Sequence, residues 1–204
     1  MTFELSPSIV TELVCTRISH DLIGNIGAVG NAVELLEEGD LDFIDDIRSI
    51  LKTSSGVLAA RLKFFRLAFG LENSAQTDLG TIKEIATAYL STLGNQNYPT
   101  TLSMQLFDPR YGRAVLLAVM LLADTLVRGG EILVRERDGQ VQVSLQTAVP
   151  PSADKLNTVK NWVAGQELTP TAQLAPLFYL KMYAKQEKIN IYILNSDVFG
   201  LGIA

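Results

Sequence analysis

The stretch Arg17-Ile18-Ser19-His20-Asp21-Leu22-Ile23-Gly24-Asn25 decides how the rest of the chain is interpreted. It contains His20, the only histidine among 204 residues, and Asp21 follows it directly. Imidazole is the side chain that exchanges a proton or accepts an electrophile near neutral pH without special help. His20 is therefore the first candidate for any chemistry, although a lone histidine is more often a surface or packing residue.

Helical spacing places His20 away from the apolar side of its helix. The apolar residues that recur at this spacing are Val10, Val14, Ile18, Leu22, Val29, Val33 and Leu36. At 100° per residue, His20 lies about 200° from both Ile18 and Leu22. We therefore expect His20 to point to solvent, where a nucleophile that must meet another protein has to lie.

The neighbours of His20 on the helix surface are candidate site residues. Residues three and four positions apart lie together, which brings Arg17 and Gly24 close to His20. Arg17 is a candidate to supply positive charge and forked donors to a phosphoryl group on the ring. Asp21 is a candidate to reach round and orient the imidazole, or to hold a metal that a partner brings. Its alternative role is that of a solvated charge.

Three glycines, Gly24, Gly27 and Gly30, lie inside the same predicted helix. Each costs up to about 1 kcal/mol relative to alanine, so an advantage must offset them. Two explanations stay open. The glycines allow either close approach by the backbone of a partner or close packing of helices within a bundle.

Composition predicts a globular protein without the charge of a nucleic-acid binder. Hydrophobic residues make up 48% and charged residues 19%, and the net charge is -5. The single cysteine, Cys15, excludes an internal disulfide and fits a reducing compartment. It lies on a different helix face from His20, so we predict a buried or half-buried Cys15 and no metal site.

No targeting or membrane-spanning segment is predicted. Residues 1–7 contain no basic residue, unlike a signal peptide, and the longest apolar run, 114–123, is too short to cross a bilayer. We therefore expect a cytoplasmic protein.

The first third of the chain predicts a helical hairpin. One helix runs from Ser6 or Ser8 to about Glu38, and a second runs from about Leu41 to Leu71 after a short break. Two such helices alone cannot bury their apolar faces well. We therefore predict a homodimer in which two hairpins form a four-helix bundle.

The rest of the chain, after a polar linker over 72–78, predicts an α+β unit. Helices are expected over 79–93, 111–128, 153–164 and 171–187, and strands over 101–107, 131–137, 140–147, 189–194 and 198–203. Asp138-Gly139 is the signal for a tight hairpin between two of these strands. We expect an antiparallel-rich sheet with helices on one face.

The motif His20-Asp21-Leu22, in the first helix of a hairpin before an α+β unit, resembles the H-box of sensor histidine kinases. In those proteins the hairpin dimerises and carries the phospho-accepting histidine, and the next domain binds ATP. Gly24 and Asn25 stand where many of these kinases have Thr or Asn and then Pro. A subgroup has Gln or Asn at the second of these positions, which Asn25 matches.

The motifs that bind nucleotide in such kinases are missing here. Residues 111–128 contain no Asn to hold Mg²⁺, and Asp124 is the only candidate of similar size. The Asp-x-Gly-x-Gly turn is replaced at its key positions by Thr147, Val149 and Pro151. Gly200-Leu201-Gly202 imitates a lid motif but lies in the last predicted strand. We therefore expect that the chain does not bind ATP.

A kinase-like scaffold without these motifs is similar to the ChpT-type histidine phosphotransferases of alphaproteobacterial phosphorelays. The segments Arg17–Ile23, Gly27–Val29 and Glu34–Glu37 are very like the first helix of that family. The resemblance covers essentially the whole chain. It implies a dimerisation and phosphotransfer hairpin over 1–74 and a degenerate ATPase-like α/β sandwich over 75–204.

The resemblance implies a relay function through a phosphohistidine. The receiver domain of a hybrid kinase would give its phosphoryl group to His20, which would pass it to the aspartate of a response regulator. The receiver would bring its own Mg²⁺, and this chain would need no cofactor. The expected docking surface comprises Ile23, Gly24, Asn25, Ile26, Gly27, Leu62 and Phe65.

Two alternatives remain from the sequence. One is a divergent histidine kinase with an altered nucleotide site. The other is a non-catalytic dimeric adaptor that binds receiver domains, in which His20 merely faces solvent.

Overall fold

Two long antiparallel helices open the structure, a computed structural model that describes residues 5–39, 43–70, 77–194 and 200–204. Helix α1 spans Pro7–Glu37 and helix α2 spans Ile44–Phe69. They pack along each other, as predicted. The expected ends of α2 at Leu41 and Leu71 lie outside the described residues.

Local chemistry explains where these helices begin. The Ser6 hydroxyl accepts a hydrogen bond from the Ile9 amide at 3.4 Å, and Pro7 occupies the first turn of α1. In α2, Asp45 and Asp46 lie in the first turn and Arg66 in the last, where each charge interacts favourably with the helix dipole.

The second part contains four helices and five strands within the described residues. The helices are α3 (Leu79–Ser91), α4 (Gly112–Ala123), α5 (Ala153–Val163) and α6 (Ala175–Glu187). The strands are β1 (Thr100–Gln105), β2 (Gly130–Arg137), β3 (Gln140–Gln146), β4 (Ile191–Ile193) and β5 (Gly200–Ile203). Single 3₁₀ turns precede α4 at 109–111 and α6 at 172–174.

These strands form one sheet in the order β1-β2-β3-β5-β4. All neighbouring pairs are antiparallel except β1 and β2, which are parallel because α4 connects them as a crossover. The predicted turn between β2 and β3 is confirmed: Asp138 and Gly139 both have positive φ, 52° and 75°. This is the backbone that Asp-Gly favours in a two-residue hairpin.

Helix α4 is the centre of the core. All its residues except Arg113 are buried, so it contacts protein on all sides. The apolar face of the sheet packs against it, and the opposite positions of β2 and β3 are half-buried or exposed. The strand residues on the buried face are Ile132, Val134, Val141, Val143, Leu145, Leu201 and Ile203. Helices on one face of an antiparallel-rich sheet are therefore confirmed.

Helix α4 ends five residues earlier than predicted. The chain turns after Ala123, and Gly129 and Gly130 adopt φ of 52° and 145° before β2 begins. At Gly129 an added Cβ would lie 2.5 Å from the carbonyl oxygen of Pro99. The two glycines thus allow a close turn against the loop before β1, rather than capping the helix directly.

The hairpin shares its core with the second part. The Phe64 and Tyr89 rings stack with centroids 3.9 Å apart, and Phe65 packs edge-on against both. This packing leaves Phe65 only 3% exposed. Phe65 was therefore wrongly predicted as a docking residue, because it faces α3 rather than solvent.

The lid-like sequence Gly200-Leu201-Gly202 has a packing role in β5. Tyr192 pairs with Gly202 across the sheet, and its ring occupies the space that a Gly202 side chain would need. Glycine is used here so that an aromatic ring can cross the neighbouring strand. Among the described helices, none is both long and apolar enough to cross a membrane.

Candidate functional site

His20 projects from the middle of α1 into solvent, as the helical spacing predicted. Its side chain is 79% exposed, and its Nδ1 lies 3.2 Å from Oδ1 of Asp21. A carboxylate can only accept hydrogen bonds, so in the neutral ring Nδ1 carries the proton. The lone pair is then on Nε2, which has the electron pair that nucleophilic attack requires.

Asp21 reaches round the helix to the imidazole although it is the next residue in sequence. One carboxylate oxygen contacts His20, and the other, Oδ2, accepts a hydrogen bond from Arg17 Nε at 2.7 Å. The carboxylate is mostly buried and anchored from below by a residue one turn earlier. Asp21 is thus placed to fix the orientation and tautomer of the His20 ring.

Arg17 lies buried between α1 and the second part of the chain. Its Nη1 and Nη2 donate to the two carboxylate oxygens of Asp124 at 2.8 and 2.9 Å, and Nη1 also donates to the Gln173 carbonyl at 3.3 Å. Burial by itself would lower the pKa of the Arg17 guanidinium. Hydrogen bonds and charges from Asp124 and Asp21 outweigh this effect and raise the pKa above its ordinary value. Arg17 is therefore a permanent cation.

These contacts change the role expected for Arg17. All three guanidinium nitrogens are bonded to acceptors inside the protein. Because the group points to Asp124, it does not extend beside the exposed ring to meet a phosphoryl group. The prediction that Arg17 supplies charge directly to the transferred group is therefore corrected. Arg17 instead holds Asp21.

Two further cations fix the backbone around the site. Arg61 of α2 donates from Nη1 to the Asp21 carbonyl and from Nε to Thr92 Oγ1 at 3.2 Å, which ties α1 to α2 and the end of α3. Lys155 of α5 donates to the Asp124 carbonyl at 2.7 Å. The backbones of both carboxylate residues are thus held by neighbouring elements.

A cleft of about 670 Å³ lies beside His20, between α1 and the second part. Its lining includes Arg17, Asp21, Asp124, Lys155 and Gln173. Within the described ranges, no three His, Cys, Asp or Glu side chains are grouped to hold a metal ion. The carboxylates at the cleft are occupied by Arg17.

Most of the predicted docking residues are exposed. Ile23, Ile26 and Leu62 are 64%, 52% and 52% exposed. Gly24 and Gly27 are exposed as well, and Asn25 is half-buried. Large apolar side chains this exposed indicate a surface that another protein covers.

The three glycines of α1 do not serve packing within the described part of this chain. A Cβ added at Gly24, Gly27 or Gly30 would meet no atom within 4 Å. Their cost to helix stability is therefore not offset by close approach of α2 or of the sheet domain. This favours approach by another chain.

Asp124 and Arg61 were not predicted as parts of the site. The sequence did carry a signal for Asp124, since it is the one acidic residue in the apolar segment 111–128 and a charge there needs a partner. The sequence contained no signal for Arg61, because its acceptors are backbone carbonyls and a hydroxyl, which a sequence does not mark as partners of a cation. Cys15 is exposed, not buried as predicted, because it lies on the side of α1 away from the core.

Comparisons with known proteins agree with this architecture. No family model matches the chain. The protein phosphotransferase ChpT of Brucella abortus (strain 2308) is 29% identical over 195 residues, which cover 91% of each chain. A solved structure of a bacterial phosphotransferase superposes with a TM-score of 0.76 at 24% identity and covers both chains completely.

The resemblance to the ChpT-type phosphotransferases is confirmed. The likeness to ChpT covers 91% of the chain and the structural match covers all of it, so the hairpin and the second part both lie within the similarity. The structural match supports the fold, and the match to ChpT supports the family resemblance inferred from the His20 motif.

Proposed function

We propose that this chain is a histidine phosphotransfer protein of a bacterial phosphorelay. In this proposal His20 accepts a phosphoryl group from the receiver aspartate of a hybrid kinase and passes it to the aspartate of a response regulator. The observation that carries the proposal is an exposed imidazole whose Nδ1 is engaged by Asp21, which leaves Nε2 free to react. The relative named protein phosphotransferase supports the same class of reaction.

The chemistry needs little more than an oriented nucleophile. The Nε2 lone pair of His20 attacks phosphorus in line, a P–N bond forms, and the P–O bond to the donor aspartate breaks with its electron pair on the departing carboxylate. Positive charge develops on the ring, and the Asp21 carboxylate at 3.2 Å stabilises it. Transfer to the next receiver is the reverse step with a different aspartate. A receiver domain would bring the Mg²⁺ that balances phosphoryl charge.

The surface around His20 suits a protein partner. The exposed side chains of Ile23, Ile26 and Leu62 would be covered by the docking receiver, and Gly24 leaves the space beside the imidazole open. Close approach matters because reacting atoms must come within about 3–3.5 Å of each other. A side chain at Gly24 would obstruct that approach.

We also propose that the protein is a homodimer. The hairpin exposes several further large apolar side chains, Ile9, Val33, Leu35, Leu36, Phe43 and Ile50. A second hairpin would cover them and complete a four-helix bundle. The dimer would present one His20 in each protomer.

The second part of the chain is proposed not to bind ATP. Asp124, the residue closest in type to a magnesium-binding Asn, has both carboxylate oxygens bonded to Arg17. Gly202 lies in β5, where the absence of a side chain accommodates the Tyr192 ring. We assign this part to supporting α1.

Phosphoryl transfer from a labelled receiver tests the proposal. The wild-type chain should gain a label that is labile in acid and stable in alkali, as expected of phosphohistidine. His20→Ala should gain none while keeping the oligomeric state of the wild type. Ser19→Ala, an exposed neighbour, is the control and should be labelled normally. Label on His20→Ala would contradict the proposal.

The same assay separates the alternatives. Labelling from ATP without a donor receiver would favour a divergent kinase. A receiver that binds without any transfer of label would favour an adaptor.

A further inference from the structure

We propose that Asp124, in the second part of the chain, is a positioning residue for His20. It would act through Arg17 and Asp21, and it would set which nitrogen of the imidazole is free to react. The inference rests on the proposed function in one respect: the nitrogen set free is the one that would take the phosphoryl group.

Four side chains form a continuous chain of contacts from the end of α4 to the exposed imidazole. Asp124 holds Arg17 by two hydrogen bonds of 2.8 and 2.9 Å. Arg17 Nε holds Oδ2 of Asp21 at 2.7 Å, and Oδ1 of Asp21 lies 3.2 Å from His20 Nδ1. Exposure rises from the buried Arg17 to the solvated His20. The inner members can therefore be rigid while the last one remains accessible.

The two carboxylate oxygens of Asp21 contact different partners, and this arrangement depends on how Arg17 is oriented. A guanidinium offers donors in a fixed, planar fork. Because Asp124 takes both Nη atoms, only Nε is left for Asp21, and it reaches only Oδ2. Oδ1 thus stays available to His20. If Asp124 released the Nη atoms, Arg17 could turn its fork onto both oxygens of Asp21 and compete with the imidazole.

Asp124 is itself well fixed. It directly follows α4, the helix at the centre of the core, and Lys155 bonds its carbonyl at 2.7 Å. Arg17 also bonds the Gln173 carbonyl at 3.3 Å, in the turn before α6. Contacts from α4, α5 and the turn before α6 therefore help to fix the position of the Asp21 carboxylate beside His20. This gives the sheet domain a role in the reaction other than nucleotide binding.

Because His20 is the only histidine, ¹⁵N NMR of the imidazole reports this site alone. We predict that wild type shows Nδ1 protonated and Nε2 unprotonated in the neutral ring. In Asp124→Asn the population should move toward the Nε2-protonated form that a solvated histidine side chain prefers. Asp154→Asn, an exposed carboxylate on α5, is the matched control and should leave the spectrum unchanged.

The rate of transfer from a phosphorylated receiver should fall in the variants whose imidazole tautomer population changes. Asp124→Asn should slow single-turnover transfer by roughly tenfold, since a slightly misplaced reacting group loses one to two orders of magnitude. Asp124→Glu, which keeps the carboxylate, should recover part of the rate. Asp154→Asn should match wild type.

Two results would overturn the inference: a wild-type ring protonated on Nε2, or an Asp124→Asn spectrum and transfer rate equal to those of wild type. If Asp124→Asn does not fold, Arg17→Lys tests the same link, because an ammonium cannot replace the fork, and an unchanged tautomer there would overturn it too. The tautomer is measured without a donor. A wild-type chain that accepts no phosphoryl group would therefore contradict the proposed function while the spectra still decide the role of Asp124.

Discussion

Arg17 is the residue on which the geometry of the site depends most strongly. It is a buried cation between two carboxylates, and removing it would leave Asp21 and Asp124 without their counter-charge. We predict that Arg17→Ala lowers the free energy of unfolding by about 3 kcal/mol. This is the lower end for a buried pair, because the Asp124 side chain is still 26% exposed. Urea denaturation measures the change.

Arg48→Ala is the matched control for this prediction. Arg48 pairs with Asp45 at 3.2 Å on the same hairpin, but both side chains are well exposed. Exposed pairs contribute little, so we expect a change below about 1 kcal/mol. Equal effects of the two substitutions would show that Arg17 does not hold a buried network.

For single residues, the sequence predicted which side chains face solvent better than it predicted which side chains pair with each other. The exposure of His20 followed from the 100° step of a helix, which needs no tertiary information. The ion pair of Arg17 with Asp124 joins positions 107 residues apart, and helical spacing contains no information about such a contact. Arg17 therefore looked like an exposed cation, when its true partner lay in the other part of the chain.

Helix α1 carries its glycines at a cost that the described residues do not offset. Gly24→Ala adds a methyl group into open space, so we predict a gain of about 0.5–1 kcal/mol in unfolding free energy. The same methyl group lies one turn from His20 and should slow transfer from a receiver severalfold. Denaturant titration and single-turnover transfer measure the two effects.

Gly56→Ala on α2 provides the comparison. It also has no atom within 4 Å of an added Cβ, so it should stabilise the helix similarly without slowing transfer. A Gly24→Ala variant that transfers at the wild-type rate would contradict the assigned role of Gly24.

The N-terminal cap of helix α3 is a carboxylate, so its contribution to stability should depend on pH. The Asp78 carboxylate accepts a hydrogen bond from the Thr81 amide at 2.8 Å, and its bonds to Thr81 lower the pKa of Asp78. A pKa below the unfolded value stabilises the fold at neutral pH, and this contribution is lost as the pH falls through the native pKa. Asp78→Ala should therefore lower the Tm at pH 7, and the difference should shrink below about pH 4.

Ser6 caps α1 with a hydroxyl that does not titrate in this range. The Tm difference between Ser6→Ala and wild type should therefore not vary with pH. A constant difference for Asp78→Ala as well would show that the capping carboxylate does not change protonation on unfolding.

Periodicity and turn residues located most elements but not their arrangement. The Asp138-Gly139 hairpin and the long helices follow from local preferences. The parallel pairing of β1 with β2 depends on how the chain crosses over through α4, and the early end of α4 depends on the packing of Gly129 against Pro99. Both are tertiary effects that local sequence does not specify.

For the whole molecule, the hairpin and the sheet domain share one core. Leu22 of α1 and Phe64 of α2 belong to the same buried cluster as α4 and the sheet. The sequence predicted two units with a boundary near residue 74, and the intervening residues 71–76 lie outside the described ranges. The contacts between the two units could not be predicted, because each helix showed only that it has an apolar side.

Following one phosphoryl group from a donor receiver to an acceptor receiver shows whether His20 is a relay site. Wild-type chain labelled by a phosphorylated receiver is purified and mixed with an unlabelled response-regulator receiver and Mg²⁺. We predict that the label leaves His20 and appears on the second receiver, and that ATP cannot replace the first donor. Label that arises from ATP alone, or that never leaves the chain, would contradict it.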